Sequence, residues 1–138
     1  MQALRHRARV IFLGAPGSGK GTYARELSKF LGVSAISTGD MIREHVERKS
    51  SLGMEFEGYI KGGLLAPDEL VTNMLLSKLE SERLDGFILD GFPRTIRQAE
   101  LLAEAGSIMD ISAVIDISLK EEFIVKKLLG RRVCSRCK

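Results

Sequence analysis

Nine consecutive residues, Gly14-Ala15-Pro16-Gly17-Ser18-Gly19-Lys20-Gly21-Thr22, restrict the fold of this 138-residue chain more than any other stretch. They follow an apolar run, Val10-Ile11-Phe12-Leu13, and lead into Tyr23, Ala24, Leu27, Phe30 and Leu31 at helical spacing. A strand, a glycine-rich loop and a helix in that order make an anion cradle. Residues without side chains let main-chain N–H groups curl around phosphate oxygens, and the positive end of the helix dipole faces them. Lys20 adds a mobile point charge for the outer phosphates. Gly17, Ser18, Gly19, Lys20, Gly21 and Thr22 are therefore candidates to hold a polyphosphate nucleotide. The residue after the lysine is Gly21, where a hydroxyl is usual; Thr22, one place later, supplies one.

Three more strand-like runs follow, at Val33–Ile36, Phe87–Leu89 and Ala113–Ile117. Between them lie helical patterns over Lys20–Leu31, Met41–Lys49, Met54–Lys61, Asp68–Arg83, Ile96–Ala105 and Glu121–Leu129. Apolar strands alternating with helices predict an α/β fold with a parallel sheet covered on both faces. Such a sheet binds ligands beyond the carboxyl ends of its strands. Residues 37–66, richer in charge and punctuated by Gly53, Gly58, Gly62 and Gly63, read as a small helical subdomain inserted into the core. Pro67-Asp68-Glu69 is a good helix start, with proline in the first turn and two acids facing the dipole. Gly62-Gly63 before it would suit a hinge.

Composition narrows the class. The charge of +3 is too small to argue for a nucleic-acid partner, and no apolar run approaches the roughly 18–20 residues of a membrane span. The basic opening Met1–Arg9 is short for a targeting peptide and runs into the first strand, so a solvated tail and a cytoplasmic protein are expected. His6 and His45 have no second ligand at metal spacing and read as surface residues. Cys134 and Cys137, the only cysteines, form a C-x-x-C pair. That is half of a four-ligand zinc site and no disulfide framework.

The chemistry-bearing residues fall at strand ends. Asp90 ends the apolar run Phe87-Ile88-Leu89 and is placed to hold Mg2+ through waters, since magnesium sheds them reluctantly. Its rival role is to cap a turn. Arg94 follows Gly91-Phe92-Pro93, Arg43 lies early in the helix after the second strand, and Arg131 and Arg132 follow the last helix. Guanidinium groups fork onto phosphate oxygens, so arginines converging on one face can cradle two facing phosphates. Thr38 and Gln98 can read a base, although Thr95-Ile96-Arg97-Gln98 also fits a helix capping box that would turn Gln98 inward. With a phosphate as acceptor, no general base is required. Alignment and charge neutralisation then suffice.

Five ordered blocks, Gly14–Thr22, Ser37–Arg43, Pro67–Glu69, Asp90–Thr95 and Gln98-Ala99, resemble the adenylate kinase family in order and spacing. The resemblance runs from about Arg9 to Lys138. It implies a P-loop NTPase-type parallel sheet, in order 2-3-1-4-5, flanked by helices. It divides the chain into a core (residues 1–36 and 67–130), an inserted NMP-binding subdomain (37–66) and the start of a lid (131–138). The implied reaction is reversible, Mg2+-dependent phosphoryl transfer from ATP to AMP giving two ADP. In that reading Gly17–Thr22 and Arg131 hold ATP phosphates. AMP lies against Thr38, Arg43, the backbone of Leu64, Leu65 and Ala66, then Gly91, Phe92, Pro93, Arg94 and Gln98. Lys20, Arg94 and Arg131 serve catalysis. Asp90 serves Mg2+, and Cys134 and Cys137 belong to a lid form that often carries zinc.

Two departures stand out. Lys127 occupies a position where the family usually places an arginine over the ATP adenine, and lysine lacks that flat stacking surface. The chain also stops at Lys138, within the lid. The intact enzyme is expected to be a monomer. The 138-residue chain is expected to transfer phosphate poorly, to retain some nucleotide binding and to self-associate through Ala113–Ile117 as an open sheet edge. Two other functions stay open at this point: a non-enzymatic nucleotide-binding module, and a related kinase with GTP as donor or another monophosphate as acceptor.

Overall fold

The computed structural model describes residues 7–106, 110–130 and 132. Among them the order is β1 (Arg9–Gly14), α1 (Lys20–Leu31), β2 (Ser34–Ser37), α2 (Thr38–Glu47), α3 (Ser51–Lys61), α4 (Asp68–Ser81), β3 (Phe87–Asp90), α5 (Ile96–Glu104), β4 (Ala113–Ile117) and α6 (Glu121–Leu129). The strands form one parallel sheet in the order β2-β3-β1-β4. That matches the order implied by the resemblance as far as the fourth strand.

Burial explains the arrangement. β3 is wholly apolar until its last residue, and Phe87, Ile88 and Leu89 are fully buried between its neighbours and the covering helices. On one face lie Ile11, Ile36, Phe87 and Leu89, packed with Val71, Met74, Leu75 and Leu79 of α4. Val10, Phe12 and Ile88 face the other side, against Ala24 of α1. The register sets Ser37 beside Asp90 and Phe12 beside Asp90, so the carboxyl ends of β2, β3 and β1 lie level.

Two expectations need correction. Coverage of both sheet faces holds for β1 and β3 but not for β4, where only Ile117 is even half-buried. Tyr23 and Phe30, which share their helical spacing with the buried Ala24, are 59% and 64% exposed and border an apolar cleft with Ile115 and Ile117. The second correction concerns His45. It is half-buried, with Nδ1 2.9 Å from Ser50 Oγ, the group that caps α3 by accepting from Gly53 N–H at 3.0 Å.

Helix α2 also begins earlier than its apolar spacing predicts. Ser37, the last residue of β2, accepts from Asp40 N–H at 3.3 Å, so the chain passes from strand to helix with no loop between them. α2 and α3 then meet at Gly53, where a β-carbon would overlap the His45 carbonyl. The Gly62-Gly63 pair closes α3. Gly63 adopts φ of 65°, and Leu64 N–H donates to the Tyr59 carbonyl at 2.9 Å.

Candidate functional site: a phosphate loop beside a hydrogen-bonded strand end

The loop between β1 and α1 is closed by its own main chain, with Ser18 N–H donating to the Ala15 carbonyl at 3.1 Å. Gly19, the N-cap of α1, has φ of 98°, a value that admits glycine and disfavours side chains. No side chain caps the helix there, so an anion can serve its first N–H groups, while Thr22 N–H donates to the Gly19 carbonyl at 3.0 Å. Ser18 is 1% exposed and its Oγ has no hydrogen-bond partner among the described residues, an expensive condition for a buried hydroxyl. A phosphate oxygen would satisfy it. Lys20 folds back over the loop, its Nζ donating to the Ala15 carbonyl at 2.9 Å. Thr22 lies exposed in the first turn of α1.

Asp90 sits directly against this loop. A β-carbon at Gly21 would come within 2.9 Å of its Oδ2. A side chain at this position would require the Asp90 carboxylate to shift. Burial holds the Asp90 carboxyl above the ordinary aspartate range, and Asp40 pushes the same way, against Lys20, Arg94 and Arg25. A partly desolvated carboxylate of this kind suits a cation. Among the described residues no three His, Cys, Asp or Glu side chains gather into a metal cage. Magnesium needs none, because one carboxylate, substrate phosphates and waters make an ordinary site for it. The residues present fit that ion.

One residue beyond Asp90, the Gly91 carbonyl is shared. It accepts from Thr38 Oγ1 at 3.1 Å and from Arg94 Nε at 2.7 Å. Gly91 adopts φ of 77°, and the chain then turns through a cis Phe92–Pro93 bond. Phe92 is fully buried in the core under α4 and α5, which anchors the turn while Arg94 stays at the surface. Arg94 N–H donates to Gln98 Oε1 at 2.8 Å, and Gln98 Nε2 donates to Asp68 Oδ1 at 2.8 Å. Thr38, Gly91, Arg94 and Gln98 are thus one connected network. Arg43 lies one turn into α2 and pairs with Asp40. Leu64 and Leu65 are exposed, and Ala66 is half-buried against the core.

Gln98 follows the capping-box reading only in part. Its N–H does donate to the capping Thr95 Oγ1 at 3.1 Å, but its side chain reaches Arg94 N–H instead of closing the box on Thr95. Asp68 was legible only as a helix-start acid. Nothing in the local sequence reveals that it receives Gln98 and Thr95 from 30 and 27 residues away. Arg131, Cys134 and Cys137 lie outside the described residues, and Lys127 is exposed in α6.

Comparison with known proteins bears on this arrangement. The chain is 47% identical over 130 residues to "Adenylate kinase" of Solanum tuberosum, covering 92% of this chain and 44% of that protein. It is 47% identical over 130 residues to "Adenylate kinase 1, chloroplastic" of Arabidopsis thaliana, covering 92% and 45%. It is 46% identical over 134 residues to "Adenylate kinase" of Moorella thermoacetica, covering 94% and 61%. The chain therefore spans about half the length of the curated relatives it matches. One of these names carries a chloroplast location, so kinship assigns no compartment to this chain. No described helix is long and apolar enough to cross a membrane. The sequence model described as "Adenylate kinase" matches residues 12–135, and with these identities it places the chain in the adenylate kinase family.

Proposed function

We propose that this chain carries the donor-phosphate loop and the acceptor-nucleotide site for reversible, Mg2+-dependent transfer of a phosphoryl group from ATP to AMP, giving two ADP. The observation that supports it best is the join at the end of β3. Asp90 packs on the phosphate loop, and the next residue, Gly91, holds Thr38 and Arg94. Donor and acceptor equipment therefore meet within one residue step.

Each group has a task. The loop N–H groups, Ser18 Oγ and Lys20 bind donor phosphates, and Lys20 exchanges the Ala15 carbonyl for a phosphate oxygen. Arg94, which donates to the Gly91 carbonyl, and Arg43, which pairs with Asp40, swing to the acceptor phosphate and set it in line with the donor. Thr38 and Gln98 read the acceptor base, with the backbone of 64–66 beside it. Asp90 would hold the magnesium ion, which supplies charge neutralisation between phosphates when bound. No side chain need remove a proton, because the attacking group is already an anion. Arg131 joins the donor phosphates in this proposal.

The test is a coupled ADP-forming assay beside calorimetric titration of ATP and AMP into the same preparation. ADP formation that requires both nucleotides supports the reading. The 138-residue chain is expected to bind nucleotide with transfer much reduced. Uptake of ATP with no AMP binding and no ADP at any enzyme concentration would leave only a nucleotide-binding module.

A further inference from the structure

Asp68 opens α4, yet its carboxylate is the junction between α4 and α5. Oδ1 accepts from Gln98 Nε2 at 2.8 Å and Oδ2 accepts from Thr95 Oγ1 at 2.9 Å. At its other end, Gln98 Oε1 accepts from Arg94 N–H at 2.8 Å. Gln98 is 6% exposed, so an unmet group there has little water to turn to.

The two ends of a glutamine amide match in shape and oppose in chemistry. The oxygen only accepts and the NH2 only donates. A carboxylate only accepts, and a main-chain N–H only donates. With Asp68 on one side and Arg94 N–H on the other, one orientation satisfies both contacts. The turned-over amide would set oxygen against oxygen and N–H against N–H. Each amide end has then used one of its two places, which leaves one donor and one acceptor in a fixed order.

We propose that Asp68 is a positioning residue that sets acceptor specificity: it pins the Gln98 amide one way round, so that Gln98 reads a 6-aminopurine monophosphate and rejects a 6-oxopurine one. This rests on the acceptor-site reading given above. A 6-aminopurine presents an amino donor beside a ring-nitrogen acceptor, whereas a 6-oxopurine presents an oxygen acceptor beside a ring N–H donor. A glutamine free to turn serves either order. A pinned one serves only one.

The experiment is calorimetric titration of AMP and of IMP into the 138-residue chain and its Asp68→Asn variant. Asparagine keeps the shape but can donate as well as accept, so the amide is no longer held from that side. The wild-type AMP-to-IMP affinity ratio is expected to exceed about tenfold and to fall by about tenfold in Asp68→Asn. The control is Glu69→Gln, which weakens the neighbouring α4–α5 contact with Arg97 Nε (3.2 Å) and keeps every partner of Gln98 and Asp68; it should leave the ratio alone. A merely structural Asp68 would weaken AMP and IMP equally in Asp68→Asn, and an unchanged ratio overturns the proposal. A second readout needs no variant: in the wild-type NMR spectrum the Gln98 side-chain NH2 protons should exchange slowly with water. Exchange at the free-glutamine rate would overturn it as well. Binding of neither nucleotide by the wild type would defeat the acceptor-site reading itself and this proposal with it. Binding of AMP with a ratio insensitive to Asp68 defeats this proposal alone.

Discussion

Lys20 and Asp90 divide the electrostatics of the loop between them. Lys20 Nζ donates to the Ala15 carbonyl and its charge also acts on Asp90, so on the proposed reading a donor phosphate would replace that carbonyl. Lys20→Gln should weaken ATP binding by about 10- to 100-fold, the worth of a charge-assisted bond, as read by calorimetry. Asp90 behaves differently. Its folded-state proton affinity is raised, chiefly by burial, so the native state binds the proton more tightly than the unfolded chain does. Its contribution to stability is fully present below the ordinary aspartate value and is lost as pH rises through the raised one. Asp90→Asn should therefore raise the melting temperature of the nucleotide-free protein at neutral pH, with the gain vanishing in acid. A variant less stable than wild type at pH 7 would show that neighbouring cations outweigh burial there. Gly21 was legible in the sequence as an irregularity, but its neighbour was not, because the carboxylate packed against it comes from 69 residues away.

At the level of helices and strands, patterning carried most of the information. β1, β3 and β4 and the helices after them appear where apolar spacing placed them, within a residue or two. Spacing failed where a cap overrode it: Ser37 starts α2 three residues before its first apolar member. The Asp68 junction was equally hidden, since hydrogen bonds between two helix starts leave no periodic trace. The α2–α3 pair offers a sharp test. Gly53 is buried with its backbone against the His45 carbonyl, so Gly53→Ala must push the two helices apart. The expected cost is about 1–3 kcal/mol of unfolding free energy, typical of overpacking, measured by urea denaturation. ATP affinity should hold, because the phosphate loop lies on other elements. An unaltered urea midpoint would mean that the pair has room this packing denies.

Across the whole molecule, the sheet is lopsided. β2 and β3 are roofed by α4 and its neighbours, whereas Val114 on β4 is 57% exposed and the cleft beside Tyr23 and Phe30 is apolar. One side of β4 (Ala113-Val114-Ile115-Asp116-Ile117) pairs with β1, and its outer side has no strand neighbour among the described residues, which makes it a template for pairing with another chain. The 138-residue chain should therefore self-associate with rising concentration in sedimentation velocity, and Val114→Lys should suppress it. A clean monomer at high concentration would count against an adhesive edge. Apolar patterning showed β4 only as a good strand; the strand order implied by the family resemblance was what marked Ala113–Ile117 as an open edge, because a strand's neighbours are a property of the assembled layers.

The shared carbonyl of Gly91 gears the two halves of the molecule together. Whatever draws Arg94 away leaves Thr38 as sole claimant of that oxygen and tugs on a turn whose preceding residue is Asp90. On the proposed acceptor-site reading, occupancy on one flank would be felt on the other through a single residue of backbone. Loading of either nucleotide should reset the affinity for its companion, with no long-range motion required.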